Sequence, residues 1–325
     1  MTRQRPTPSA TRRAAILAVV RQAARCPRRT AERLVGGAGV AAGVLEPWRV
    51  RSAYAWATAH GQRGIRRWRT TLRILEYRGL RLLEHWAPTI ESPAALRQRV
   101  VLEGRARLDA SMGRPTILLG FHLGSSLSRW GLAVHGYDCL LAGDGVWSFR
   151  GHAAPQAGWR EVPETEAVVS PGAGPVERSI VLYRLRALLL AGRTVRLLGD
   201  GADGRELFRV PLARGSLVVR AGWWLLRRQT EAVTLPVLAH QERSSVVVTV
   251  HQALPPLIGD PEEDLARCRA MLEPLVQDFV RRYPEQCLPW IFDTSSEPDP
   301  GPAADRPPAG PRAPTGATSY GASRS

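Results

Sequence analysis

The chain has 325 residues, enough to bury one sizeable core, and a formal net charge of +16. All 45 basic residues are Arg, and residues 1–110 hold 22 of them against 7 Asp and Glu, a net of +15, so an anionic partner for the N-terminal third is expected: acidic lipid headgroups or nucleic acid. Four scattered cysteines (Cys26, Cys139, Cys268, Cys287) with no Cys-x-x-Cys pair argue against a disulfide framework or zinc site and for a reducing cytosol.

Residues 1–33 are rich in Arg, Pro and Thr. The apolar runs 14–20 and 34–45 fall short of the ~20 residues a spanning helix needs, and Arg21 and Arg25 break any signal-like core. Trp48, Tyr54 and Trp56 follow among Arg49 and Arg51. Ile65, Trp68, Leu72, Leu75, Leu82 and Trp86 then mark one face of a helix, with Gly79 in the vacant slot. Arg66, Arg67, Arg69, Arg73, Arg78 and Arg81 lie off that stripe. Such a helix lies in a membrane interface or packs on the following domain. Residues 1–86 are read as a basic amphipathic segment that associates with anionic lipids through Arg, Trp48, Trp56 and Trp68.

A helix is expected over 92–110, with Ser92 as N-cap and Pro93 in its first turn. Residues 117–121 read as a short buried strand. His122 stands at its end, Gly124-Ser125-Ser126 interrupts, and Leu127, Trp130 and Val134 begin a helix that stops near Gly136. A second strand over 138–142 ends at Gly143-Asp144-Gly145, and 150–175 reads as a long loop. A helix over 177–191 leads to a third strand over 194–199, which ends in Gly199-Asp200-Gly201-Ala202-Asp203-Gly204. A helix over 216–228, β-rich runs at 232–239 and 245–252, and a helix over 262–282 complete the domain at Tyr283–Trp290. The stretch 294–325 is Pro-, Gly-, Ala- and Ser-rich and reads as a disordered tail.

This alternation predicts an α/β domain over 87–293, with a mostly parallel central sheet covered by helices on both faces and a helical N-terminal segment in front. His122, Asp144, Asp200 and Asp203 should then share a crevice at one sheet edge, where open α/β sheets bind ligands. The Gly199–Gly204 loop lacks the Rossmann spacing and the P-loop Lys, and no Gly-x-Ser-x-Gly elbow surrounds Ser125. No metal-ligand spacing appears, and no bound cofactor is expected. A histidine beside carboxylates suits general-base activation of a hydroxyl. Arg205, Arg209 and Arg214 suit an anionic acceptor or a phosphopantetheine-type donor. Gly124 and Ser125 shape the turn and are candidate N–H donors to an oxyanion.

Four segments resemble the lysophospholipid acyltransferase superfamily, in its late lipid A lauroyl and myristoyl transferase branch. Phe121-His122-Leu123-Gly124-Ser125-Ser126-Leu127 is similar to the family's strand ending in His-Phe-Gly-Asn-Trp-Glu. Gly199-Asp200-Gly201 through Arg209-Val210-Pro211-Leu212 is similar to its Asp turn and Val-Pro-Phe-x-Gly-Arg segment. Glu231 to Val237 is similar to its Gly-Ala-Pro-Val-Val-Pro-Val strand, and Arg282 to Trp290 to its closing His-Pro-Glu-Gln-Trp-Leu-Trp. The resemblance covers about residues 90–293.

It implies transfer of a fatty acyl group from acyl-carrier protein or acyl-CoA to a hydroxyl of a membrane lipid or glycolipid, peripherally, at the cytoplasmic face of the inner membrane. It makes His122 the base. The family's orienting acid falls at Leu127, so Asp200, and after it Asp144, is the expected substitute, and Leu127→Glu is expected to be tolerated. Losing the orienting carboxylate of a Ser-His-Asp triad costs about 10⁴ in turnover. The alternatives are a catalytically inactive lipid-binding accessory protein of the same fold and, last, nucleic-acid binding, which no accompanying motif supports.

Overall fold

The computed structural model describes residues 18–19, 22–23, 25–85, 87–137, 139–144, 166–169, 174–200, 204–242 and 245–293. Three helices open it: α1 (Arg28–Val44), α2 (Pro47–Ala59) and α3 (Gly64–His85). Two short helices, α4 (Ala87–Ile90) and α5 (Pro93–Arg99), lead into β1 (Val100–Glu103), α6 (Arg105–Asp109), β2 (Thr116–Gly120) and α7 (Ser128–Val134). After β3 (Cys139–Asp144), β4 (Glu166–Val169), α8 (Pro175–Leu190) and β5 (Thr194–Leu198) comes a hairpin, β6 (Glu206–Pro211) and β7 (Ser216–Arg220). The helix α9 (Gly222–Thr230), β8 (Val233–Glu242), β9 (Ser245–Val250) and α10 (Pro261–Arg282) follow.

Seven strands form one sheet in the order β1-β9-β8-β2-β5-β3-β4, with the hairpin as a separate ribbon. Only the β8–β9 pair is antiparallel; the other neighbours run parallel. This is the mixed, mostly parallel α/β sheet expected from the alternation of strands and helices. β2 lies near its middle and all five of its residues are buried, as a strand covered on both faces requires. Alternate side chains serve two cores. Ile117 and Leu119 share one apolar cluster with Leu185 of α8, Trp223 of α9 and Val276 of α10, whereas Leu118 belongs to the other, with Leu96 of α5, Leu108 of α6 and Leu132 of α7.

Three local expectations fail. The helix expected over 92–110 is interrupted by β1, because Val100 to Glu103 pair with β9; Ser92 does cap, its Oγ accepting from the Ala95 N–H at 3.3 Å. Residues 216–220 are a strand, not the start of a helix: Leu217 and Val219 fill the core while β7 pairs with β6 across the Gly215 turn. The span 150–175 contains β4; its other residues up to 173, like Asp203 and the tail 294–325, lie outside the described residues.

The N-terminal helices pack on one another and on the rest of the chain. α1 crosses α3 backbone to backbone: a Cβ on Gly79 would stand 2.1 Å from the Val35 carbonyl oxygen, and one on Gly39 would stand 2.7 Å from that of Leu75. Gly79 therefore occupies the vacant slot of the stripe because only a bare backbone fits there. Trp56, expected at a membrane, is fully buried: it stacks on Phe292 with centroids 4.7 Å apart and donates from Nε1 to the Pro284 carbonyl at 3.0 Å. That burial contributes on the order of 4 kcal/mol and ties α2 to the stretch after α10 that holds Pro284 and Phe292. The α3 stripe divides. Leu75 is buried, whereas Ile65, Trp68 and Leu72 face outward. Among the described residues, no helix is long and apolar enough to cross a membrane.

Candidate active site

His122 follows β2 by one residue after Phe121, and Asp200 follows β5 in the same way after Gly199. These strands are parallel neighbours, and the pairing runs one step past their ends: the Gly199 N–H donates to the Gly120 carbonyl at 2.8 Å. Gly199 lies under the Phe121 ring, which a Cβ there would approach to 2.9 Å. His122 and Asp200 are thereby brought side by side. Asp200 accepts the His122 backbone N–H on both carboxylate oxygens at 2.9 Å, and its Oδ1 lies 3.0 Å from the ring Nδ1. The carboxylate is 2% exposed and the imidazole 40% exposed. A buried carboxylate thus holds one ring nitrogen and favours the tautomer with the proton on Nδ1, which leaves Nε2 able to accept a proton. Asp144 ends β3, on the far side of β5 from β2, and its side chain lies outside the described residues.

Leu127 is fully buried and belongs to the apolar cluster that also contains Leu118, Trp130 and Leu235. This burial argues against the expectation that Leu127→Glu is tolerated: a carboxylate there would enter an apolar core.

The turn between His122 and Leu127 is held from outside. Gly124 has φ +62°, and a Cβ on it would stand 1.9 Å from the Ala239 carbonyl oxygen and 2.6 Å from the Phe279 ring. Its N–H donates to Gln286 O at 3.1 Å, and that of Ser125 donates to Ala239 O at 2.8 Å. The Ser126 N–H donates to Glu84 at 2.8 Å, and the Leu127 N–H to Ser125 Oγ at 3.1 Å. Gly124 and Ser125 do shape the turn, but their N–H groups are committed and unavailable to an oxyanion. Leu123 has the one N–H of this turn with no partner among the described residues.

Two residues of this support came from α3, and sequence reading missed both. Arg81 donates from Nη1 to the His122 carbonyl at 2.9 Å and from Nε to Ser126 Oγ at 3.3 Å. Glu84 is buried, and burial pushes its carboxyl above the ordinary range, against the opposing pull of hydrogen bonds from Ser125 and Ser126 and the charges of Arg99 and Arg81. Beside it Tyr77 is buried with no partner for its hydroxyl among the described residues, and burial followed by the Glu84 charge raises its pKa well above the usual value. Glu84 is one of two acids, with Glu76, in an Arg-rich amphipathic helix, and nothing in the sequence marked it out.

The three candidate anion-binding arginines are not brought together. Arg205 is exposed at the open end of the hairpin, near Asp200: Ala221 N–H donates to its carbonyl and Arg220 N–H to that of Gly199. Arg209 pairs with Glu206 at 2.8 Å and Asp293 at 2.5 Å, and these partners, Glu206 first, push its pKa up. Arg214 sits at the closed end of the hairpin, some six residues and so about 20 Å of strand away from Asp200. Arg220, at the open end, is the basic residue that the mistaken helix concealed. No cluster of three or more His, Cys, Asp or Glu suited to a metal occurs among the described residues.

In comparison with known proteins, the chain matches no family model and no curated protein.

Proposed function

We propose that this chain is an O-acyltransferase that moves a fatty acyl group from a carrier thioester, acyl-carrier protein or acyl-CoA, to a hydroxyl of a membrane lipid or glycolipid. The observation that carries the reading is the pairing of His122 Nδ1 with the buried Asp200 carboxylate at 3.0 Å, on an imidazole that is 40% exposed. Further support comes from convergence. Three of the four family-like segments meet at this turn: Phe121 to Leu127 itself, the Asp turn through Asp200, and the closing segment through Gln286; Ala239, two residues past the fourth, accepts from Ser125. The acyltransferase-like fold is part of this proposal.

In the reaction, His122 Nε2 takes the proton of the acceptor hydroxyl as its oxygen bonds to the thioester carbonyl carbon. Asp200 faces the imidazolium that forms. The carbonyl oxygen gains charge, and the Leu123 N–H, without a partner among the described residues, is the donor of the turn left to meet it. The tetrahedral intermediate then collapses, the carbon–sulfur bond breaks, and the leaving sulfur takes the proton from Nε2. An oxygen ester and a free thiol result, and His122 is neutral again. No metal or oxidant enters the balance.

The exposed Ile65, Trp68 and Leu72 among Arg66, Arg69 and Arg73 support peripheral contact with an anionic bilayer, which would present the acceptor. The test is lipid mass spectrometry of cells with and without the gene. The reading expects one lipid class to lose a single acyl group on deletion and to regain it with the wild-type chain, not with His122→Ala. Restoration by His122→Ala would favour an accessory protein instead.

A further inference from the structure

The helix α8 has two apolar faces, and one of them is uncovered. Leu185 and Leu189 are buried against the sheet, with Val181, Leu182 and Leu188 beside them, as a covering helix requires. Val176, Ile180, Tyr183, Ala187 and Leu190 recur at steps of four, three, four and three along the opposite side, and all five are exposed; Val176 and Tyr183 are 72% and 71% exposed. That spacing is the seam of a helix that pairs with another helix, not the wider stripe of one that covers a sheet. Exposed apolar residues scattered singly need no partner, but an uninterrupted seam over a 16-residue helix does.

The charges beside the seam select the occupant. Glu177 and Arg184 are exposed, lie seven residues apart, and so flank the seam on the same side. Neither is in an ion pair within the chain among the described residues. If a second α8 is laid antiparallel with Ile180 opposite Tyr183, Glu177 of each helix falls beside Arg184 of the other. The two-fold axis repeats the pair, so one stripe is complementary to itself in shape and in charge.

We propose that this face joins two copies of the chain through an antiparallel α8 pair. A helix of this length, about 24 Å, buries an area near or below the roughly 1,200 Å² at which stable interfaces begin. The dimer is therefore weak, with dissociation in the micromolar range. The surface is separate from the His122 turn and does not depend on the acyltransferase reading.

Sedimentation equilibrium of the full chain over a range of concentrations tests this, with thermal unfolding as a control for the fold. The wild type should associate reversibly to a dimer. Tyr183→Glu should abolish association without lowering the unfolding temperature, because the inner face of α8 is untouched. Glu177→Arg alone puts like charges opposite at both pairs and should weaken the dimer tenfold or more, as should Arg184→Glu alone. The double variant Glu177→Arg/Arg184→Glu should restore wild-type association. A chain that stays monomeric at all concentrations, or a double variant no better than either single one, overturns the proposal. So does loss of binding to anionic vesicles on Tyr183→Glu in a chain that never dimerises, which would assign the face to a bilayer.

Discussion

Replacing Leu127 by Glu distinguishes a core position from a vacant catalytic one. Leu127 is fully buried, in the apolar cluster that also contains Leu118, Trp130 and Leu235. Removing its packing forfeits about 2 kcal/mol. The new carboxyl, without a partner, stays neutral in the folded chain, which raises its pKa by about 3 units or more; at pH 7 that costs a further ~4 kcal/mol. The sum, on the order of 6 kcal/mol, is comparable with the whole stability of many domains. Its pH dependence has a definite sign. The folded pKa lies above the unfolded one, so the folded state binds more protons between the two, and stability falls as pH rises through that interval. Urea unfolding of Leu127→Glu at pH 5 and pH 8 should therefore show a large loss at pH 8 and a smaller one at pH 5, whereas Leu127→Met should stay within about 1.5 kcal/mol of wild type. A Glu variant as stable as wild type at pH 8 would refute the reasoning, since position 127 would then admit an ionised acid.

Glu84 carries a smaller native version of the same effect: its raised pKa means that its ionisation opposes folding increasingly from its unfolded pKa up to its folded one, so Glu84→Gln should flatten the decline of unfolding free energy with pH, and Glu84→Ala, which orphans the Ser126 N–H, should lower stability by about 1–3 kcal/mol. Gly124→Ala meets the Ala239 carbonyl and an unfavourable φ; denaturation should show a loss of more than about 2 kcal/mol. Sedimentation with anionic vesicles should show binding that weakens with salt and falls further when Ile65 and Trp68 are both replaced by Glu, while Trp56→Phe should leave binding unchanged and destabilise the fold.

The sheet was legible in the sequence where a short run is mostly apolar and ends at a Gly or polar residue, as at Ile117 to Phe121 and, despite Arg196, at Thr194 to Gly199. Parallel crossovers put the ends of those strands on one edge, as expected, but that β5 rather than β3 lies beside β2, and so that Asp200 meets His122, is seen only in the sheet order. β1 was hidden because it has four residues between two helical segments, and only its pairing with β9 makes it a strand. β7 runs without a break into α9, and its periodicity could not separate the two. The support of the turn was illegible for another reason. Glu84 meets Ser126, and Trp56 meets Pro284, across 42 and 228 residues of sequence. A buried Trp and an interfacial Trp look alike when each stands among arginines.

The central claim rests on whether His122 moves a proton during acyl transfer. Thiol release from an acyl-carrier protein or acyl-CoA thioester, measured with purified protein and membrane-lipid acceptors, tests it most directly. Wild-type release should require an acceptor lipid and yield its ester. His122→Ala should abolish it, and Asp200→Asn should cut turnover by about 10³ to 10⁴ with folding intact. Transfer that persists at the wild-type rate in His122→Ala, or no transfer from either thioester by the wild-type protein with any membrane lipid, would contradict the account.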